Sequence, residues 1–397
     1  MTPEALEGIR VIDLSRILAG PYCSMLLGDM GAEIIKIEQP GTGDGSRQWG
    51  PPWIAGESAY YLSVNRNKKS LTLNLKHPEG QAILKKLIAS ADILVENFLP
   101  GTLERMGLDY PTLSANFPGL IYCSITGYGQ NGPYKDRPGY DFIIQAQGGL
   151  MSITGPADGQ PYKVGVAIVD ITAGLYALSA ILAALHYRKR SGRGQYIDVA
   201  LLDAQIAWMV NVAHNYFATG EAPTRYGNAH PNIVPYEIFQ TSDGHLGLGI
   251  GTDAQYQRFC EVIGRTDLWE DKRFQSNAGR VEHRDVLVPL LNEVFPSRST
   301  SVWIELFVNN NIPAGRVNDL PSLFSDPQVA AREMVQEIQH PDLGPIKQLS
   351  PVARLSETPA RICLAPPRLG EHTDSLLRTE LGYTEVDLVR LESEGVI

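Results

Sequence analysis

A chain of 397 residues, 43% of them apolar and 20% charged, is long enough for two hydrophobic cores and too apolar for a disordered polymer. Its net charge of −10 excludes a nucleic-acid-binding surface as the organising feature, since such surfaces depend on an excess of Lys and Arg. A local basic patch for a phosphorylated small molecule stays open.

In chain order, the opening Met1–Gly8 has neither the basic start nor the apolar stretch of a secretory leader, so none is expected. Gly8–Leu14 is a short β-rich apolar run. Gly20-Pro21 punctuates it, a helical stretch follows over Tyr22–Met30, and Ala32–Glu38 is a second strand. A strand–helix–strand unit of this length implies a parallel sheet. Further strands are expected at Ser70–Leu75, Ile93–Glu96 and Leu120–Ser124. A helix is expected over Pro78–Ser90, where Ala82, Ile83, Leu84, Leu87 and Ile88 cluster at helical spacing. The first 200 or so residues therefore read as a doubly wound α/β sheet. Ile171–Leu185 is the most apolar run, short of the roughly 18–20 residues that span a bilayer, so it is expected to be a buried helix and no membrane partner is expected. Ser191-Gly192-Arg193-Gly194 ends that helix. A strand (Gln195–Val199) and a helix (Asp203–Tyr216) follow. The composition turns to Gly, Pro, Asn and His over Thr219–Pro235, which sets a boundary. Residues 1–225 are read as the N-terminal part of a large domain, 226–330 as a small α/β domain and 331–397 as the return to the large one. The small domain carries an expected strand at His245–Ile250 and helices near 254–263, 283–295 and 300–309.

The chemistry is narrowed first by absences. No Gly-x-Gly-x-x-Gly follows the first strand, no P-loop pattern occurs, the eight histidines form no HExxH pair, and there is no Gly-x-Ser-x-Gly elbow. Cys23, Cys123, Cys260 and Cys363 are dispersed with no CxxC pair, which argues against a zinc site or disulfide framework and for a reducing, cytoplasmic compartment. No metal is expected.

What remains is Asp170, standing between an apolar run and the apolar helix. It reads as an N-cap, as a carboxylate nucleophile kept ionised by the helix dipole, or as both. The Gly-rich loop Gly127–Tyr134 follows a strand and is either an ordinary connection or a ligand loop. Asp141 is a proton relay or a plain cap. Asn65–Ser70 is a solvated face or a phosphate-neutralising cluster. Asn97 and Phe98 end a strand, where they could hold an adenine, and Phe98 reads equally as core. Arg16 and Arg47, near strand ends, are each either a surface ion pair or a partner for a bound carboxylate.

Taken in order, Leu6–Leu14, Leu18-Ala19-Gly20-Pro21, Gly31–Glu38, Asn65–Ser70, Val95-Glu96-Asn97-Phe98, Ser191–Gln195 and Leu369–Thr373 resemble the class III CoA-transferase family. That family contains formyl-CoA transferase, carnitine CoA-transferase and α-methylacyl-CoA racemase. The resemblance implies a Rossmann-like large domain built from both chain ends, a smaller inserted α/β domain and an interlocked homodimer. It implies acyl-CoA as substrate, no permanently bound cofactor, and Asp170 as the nucleophile. CoA contacts are implied at Leu18, Ala19, Gln39, Leu73, Lys76, Asn97, Phe98, Arg105 and the stretch Pro138, Gly139, Tyr140 and Asp141. At Gln39 many members carry Arg. The glycine-rich flap of formyl-CoA transferase has no counterpart, and Gly227–Asn232 stands in its place.

Racemases of the family carry a histidine directly before the aspartate that corresponds to Asp141. Here the residue is Tyr140, a poor base at neutral pH, so transfer is expected, with racemisation as the alternative. The segments Gly43–Pro52 and Tyr60–Lys69 are most similar to transferases that move CoA from succinyl-CoA to a small dicarboxylate such as glutarate, malate or citramalate.

Overall fold

Runs rich in Ile and Val form strands because β-branched side chains suit a pleated surface, and helices form where apolar residues recur every three to four positions. In the computed structural model, which describes residues 3–397, the chain opens with β1 (Arg10–Asp13), α1 (Ala19–Asp29) and β2 (Glu33–Glu38). A small hairpin of β3 (Trp53–Ile54) and β4 (Glu57–Ser58) leads to α2 (Ala59–Val64) and β5 (Lys68–Thr72). Then come α3 (Pro78–Ile88), β6 (Ile93–Glu96), α4 (Tyr110–Asn116), β7 (Ile121–Thr126), α5 (Asp141–Gln147), α6 (Ile168–Ser191), β8 (Tyr196–Ala200), α7 (Leu201–Ile206) and α8 (Val210–Thr219).

Beyond them lie β9 (Tyr236–Gln240), β10 (His245–Gly249), α9 (Asp253–Val262), α10 (Thr266–Glu270), α11 (Asn277–Glu282), α12 (Arg284–Asn292), α13 (Thr300–Asn309), β11 (Ala314–Arg316), α14 (Leu320–Phe324) and α15 (Pro327–Ala331). The chain closes with β12 (Val335–His340), β13 (Gly344–Leu349), α16 (Thr373–Leu381) and α17 (Glu385–Ser393). It divides into two compact units. The first takes residues 3–149, Val164–His214 and Gln328–Ile397; the second takes Leu150–Lys163 and Asn215–Pro327.

In the first unit β5-β2-β1-β6-β7-β8 form one sheet in that order, every neighbouring pair parallel. The order reverses direction between β1 and β6. In open α/β sheets the carboxyl ends of the strands on either side of such a reversal leave a crevice where ligands bind. Alternate residues face opposite sides, as the two-residue period of a strand requires. Val11, Ile34, Val95 and Ile121 pack with residues of α1 and α6. Ile12, Ile35, Leu71 and Leu94 pack with residues of α3, α16 and α17.

α6 spans 24 residues, longer than the apolar run suggests, and is long and apolar enough to cross a membrane on composition alone. Ala173, Ala177, Ile181 and Ala184 along it are fully buried in the core that includes β7, so it is a core helix on that face. Gly192, in the left-handed region at φ 71°, ends it where the Ser-Gly pair predicts. The single helix expected over Asp203–Tyr216 is instead two, broken by a tight turn at Ala207–Met209 and by Val210 at φ 20°. Apolar periodicity runs through the break and does not reveal it.

The Asn65–Ser70 run is neither a solvated face nor a phosphate site. Arg66 is paired with Asp29 through Nε and Nη2 at 2.9 and 2.7 Å. Lys68 is wholly buried and reaches Asp13, the Pro21 carbonyl and Asn65. Lys69 pairs with Glu33 at 2.6 Å. Burial pulls the Lys68 ammonium down to about 8, against the opposing pull of Asp13. In the second unit β11-β10-β9 make an antiparallel sheet, of which the sequence signals only β10. Phe239, Phe259, Phe295, Trp303 and Phe307 fill its core. The cysteines are all free thiols, three of them buried and Cys363 exposed.

Candidate active site

Asp170 lies in the first turn of α6, but it is not the cap. Ala167 occupies the N-cap position and offers no side-chain bond. The capping oxygen comes from α5: Asp141 Oδ1 accepts the Val169 N–H at 2.8 Å, while its Oδ2 accepts from Gln145 Nε2 at 2.6 Å. Gln145 in turn accepts the Val164 N–H at 2.9 Å. Both oxygens of Asp141 are thus occupied in joining α5 to the start of α6. The Asp170 carboxylate makes no hydrogen bond or ion pair among the described residues. Burial, and secondarily the neighbouring Asp141 carboxylate, push its pKa up to about 7, opposite to the expectation that the helix terminus keeps it ionised.

One glycine brings α1 beneath that turn. A Cβ on Gly174 would sit 2.7 Å from the Ala19 carbonyl oxygen, so only glycine permits this approach. Gly174 is one helical turn beyond Asp170 on the same face, and the contact carries the N-terminus of α1 toward the carboxylate. Leu18, Ala19 and Asp170 accordingly line one cavity of about 280 Å³, together with Arg16, Ile17, Asn97, Phe98, Gly127, Arg137, Pro138, Gly139 and Tyr140. A second close approach shapes its far wall: a Cβ on Gly139 would lie 2.5 Å from the Gly127 Cα, so the Gly-rich loop after β7 packs directly on the strand-to-helix connection before α5. Gly127 places that loop at the cavity.

Asn97 uses its side-chain amide on the backbone. Its Oδ1 accepts the Arg16 N–H at 2.9 Å and its Nδ2 donates to the Arg16 carbonyl at 2.7 Å. The Arg16 side chain makes no ion pair among the described residues and lies over the Phe98 ring, 4.7 Å from its centroid. Arg137 is the other uncommitted cation, stacked 3.8 Å from the Tyr134 ring centroid. Sequence reasoning passed over Arg137; the available signal is an aromatic three residues before an arginine, at the end of the Gly-rich loop. Asp170 is the one acid lining the cavity, against two free guanidinium groups.

A second cavity of about 280 Å³ abuts the first and shares Arg16 and Phe98 with it. It gathers Gln39, Leu73 and Lys76, with Thr42 and Gly43. The structure thus brings the predicted residues into two adjoining hollows at the carboxyl end of the sheet. Asp141 lines neither, being taken up in the α5–α6 junction, and Arg105 lines neither, its guanidinium lying 3.4 Å from the Thr102 hydroxyl. Arg47 is not available to a ligand: it forms a bidentate pair with Glu38 at 2.8 Å per bond, donates to the Tyr61 hydroxyl at 2.6 Å, and donates to the Pro367 carbonyl.

A carboxylate without partners, flanked by a helix N-terminus and two free cations, suits an anionic acyl compound. The sequence model of CoA-transferase family III matches residues 6–373. The chain belongs to that family. The transferase is 45% identical over 392 residues to succinyl-CoA:glutarate CoA-transferase of Mus musculus, covering 99% of this chain and 90% of that one. It is 39% identical over 397 residues to succinyl-CoA–D-citramalate CoA-transferase of Chloroflexus aurantiacus, covering 100% and 98%. Among solved structures, a CaiB/BaiF family protein from Brucella suis superposes with a TM-score of 0.84 at 41% identity, over 96% of this chain and all of that one.

Proposed function

We propose that the transferase moves CoA from succinyl-CoA to a small dicarboxylate of four or five carbons in its main chain, with glutarate, malate and citramalate as the acceptors to test, and that Asp170 carries the acyl group and CoA in turn. The observation that supports this most is the unpartnered Asp170 carboxylate in a cavity whose free charges are otherwise cationic. The named relatives, which act on succinyl-CoA with glutarate or citramalate, support the substrate class.

An Asp170 oxygen attacks the donor thioester carbonyl, the C–S bond breaks, and a mixed anhydride and CoA thiolate result. The thiolate attacks the aspartyl carbonyl of that anhydride, which releases succinate and leaves an aspartyl-CoA thioester. The acceptor carboxylate attacks the thioester carbonyl and expels the thiolate. The thiolate then takes the acceptor acyl group from the new anhydride, and the Asp170 carboxylate is regenerated. Each tetrahedral state carries an oxyanion that needs nearby amide donors, and the backbone of Leu18 and Ala19 at the start of α1, which lines the cavity with Asp170, is proposed to supply them. The second cavity, with Gln39, Leu73 and Lys76, is proposed to receive the nucleotide end of CoA. Arg16 is proposed to meet the distal carboxylate of the dicarboxylate, a charge that cannot be buried unpaired.

The test is turnover of succinyl-CoA with a panel of dicarboxylates, joined to mass spectrometry of the peptide that contains Asp170. Acceptor-dependent transfer and an adduct on Asp170 are expected, with both abolished in Asp170→Ala. Turnover by that variant comparable to the parent would overturn the covalent route.

A further inference from the structure

The backbone that leads into α1 is held in an unusual way. Ser15, Arg16 and Ile17 belong to no helix or strand, yet their backbone N–H and carbonyl groups, the Ile17 carbonyl excepted, are each matched by a side chain. The Ser15 N–H donates to Asp13 Oδ1 at 2.9 Å, and the Ser15 carbonyl accepts from Lys36 Nζ at 2.8 Å. Both backbone polar groups of Arg16 are taken by Asn97. The Ile17 N–H donates to Asp44, 3.1 Å from Oδ1. Lys36 and Asp44 are themselves paired at 2.9 Å, and both side chains are wholly buried. Asp44 is fixed again from below, accepting the Ser46 N–H at 2.9 Å and donating its own N–H to Glu38 at 2.9 Å.

This investment concentrates on a backbone that would not stay put alone. Ile17 has φ 73°, in the left-handed region, where a β-branched residue is a true outlier. Such a conformation persists only where its surroundings over-determine it, and the residues that follow, Leu18 and Ala19, border the cavity beside Asp170. A buried Lys–Asp pair is a poor source of stability, because desolvating both charges offsets their attraction. Geometry is what it supplies here.

We infer that Lys36 and Asp44 are positioning residues for the transfer reaction: together with Asn97 they hold Ile17 in its left-handed conformation and so fix the backbone of Leu18 and Ala19 against the reacting carboxylate. This rests on Asp170 as the group that reacts. Neither Lys36 nor Asp170 touches the other; Lys36 acts through the Ser15 carbonyl and through Asp44.

The test uses the full chain with the double substitution Lys36→Met and Asp44→Asn, which removes the pair without stranding a buried charge. A fall in kcat of about a hundredfold is expected, the scale on which a displaced reacting backbone is felt, with a much smaller change in KM for succinyl-CoA. Ile17→Gly is then added to both backgrounds. Glycine occupies positive φ without strain. It should lower kcat in the parent, where it loses the isoleucine side chain, and raise it severalfold in the double variant, where it relieves the unheld conformation. A general loss of structure would not give that reversal of sign. Near-parental kcat in the folded double variant, or an Ile17→Gly effect of the same size and sign in both backgrounds, would overturn the inference. If the double variant does not fold, Asp44→Asn alone, paired with Ile17→Gly in the same way, decides it by the same reversal. An Asp170 adduct that forms normally while the clamp variants turn over at the parental rate would refute the clamp and leave the covalent route intact.

Discussion

At the scale of single residues, Asp170 is a carboxyl whose surroundings favour the protonated form. Burial and the Asp141 charge raise its pKa to about 7 from an ordinary value of 3.8. Only the carboxylate attacks a thioester, so kcat/KM, which reports the free enzyme, should rise about tenfold per pH unit below that pKa and level off above it. A profile flat from pH 5 to 8 would contradict the role given to Asp170. The same shift has a consequence for folding with its own sign. The native state binds this proton more tightly than the unfolded chain, so the stability it contributes is present below about pH 4 and is lost as pH rises through about 7. Asp170→Asn should therefore raise the melting temperature by a few degrees at pH 8 and by less at pH 5, as thermal scans at the two pH values would measure.

Arg16 gives a second residue-scale expectation. The Arg16 guanidinium is exposed in the free chain and would lose its water only when a substrate covers it, and a cation covered in that way discriminates against a substrate that leaves it unpaired. Succinyl-CoA with a C4–C5 dicarboxylate should have a kcat/KM at least about a hundredfold above that of butyryl-CoA with butyrate. Arg16→Leu should shrink that ratio to about tenfold or less, mainly through loss on the dicarboxylate side. An equal loss on both pairs would move Arg16 from the acid to the CoA moiety, which both reactions share.

At the scale of elements, α1 and α6 meet at Gly174, and here two rules make opposite predictions. Alanine is a better helix former than glycine by about 1 kcal/mol, so Gly174→Ala in an open helix would stabilise. The added Cβ would fall 2.7 Å from the Ala19 carbonyl, a backbone atom that yields only if the helices move apart. Overpacking of this kind costs about 1–3 kcal/mol, and the variant should be destabilised, with a lower urea midpoint and a reduced kcat. A higher midpoint would show that the approach is not tight. That contact also marks what the sequence can and cannot carry. Strands β1, β2 and β6 are legible to within two residues because each is a short continuous apolar run, a signal that is local. The crevice follows from strand order, and Asp170 is legible because a lone acid interrupts an apolar run. Gly174 looks like any glycine in a helix. Lys36 sits within an apolar strand, and Lys68 within a basic run that looks solvated. Only the pairing of β1 with β2 and β2 with β5 shows that both point inward to Asp13 and Asp44. Arg47, left open between an ion pair and a ligand partner, proves to be an ion pair, and a buried one, since Glu38 becomes its partner only through the fold.

At the scale of the whole molecule, the net charge of −10 and the exposed apolar side chains pull in different directions. Charge of one sign keeps chains apart, whereas the first unit leaves Leu175 and Tyr176 of α6, Ile206 of α7 and Val210 of α8 uncovered, Val210 at 63% exposure. Apolar surface of that kind marks an interaction site. We propose that a second copy covers it, in keeping with the interlocked homodimer that the family resemblance implies. Light scattering should then give twice the chain mass at micromolar concentration, and Ile206→Asp with Val210→Asp should lower it or abolish folding. Threading adds a sharper expectation than dimerisation does. Two chains that pass through one another cannot part by rigid-body separation, so dilution to nanomolar should leave the dimer intact for as long as the fold persists. The midpoint of unfolding should rise with protein concentration, since dissociation and unfolding become one event. A dimer that falls to folded monomers on dilution would rule out threading and keep the interface. A folded monomer at micromolar concentration would rule out both, and the apolar side chains of α6, α7 and α8 would then need a different partner.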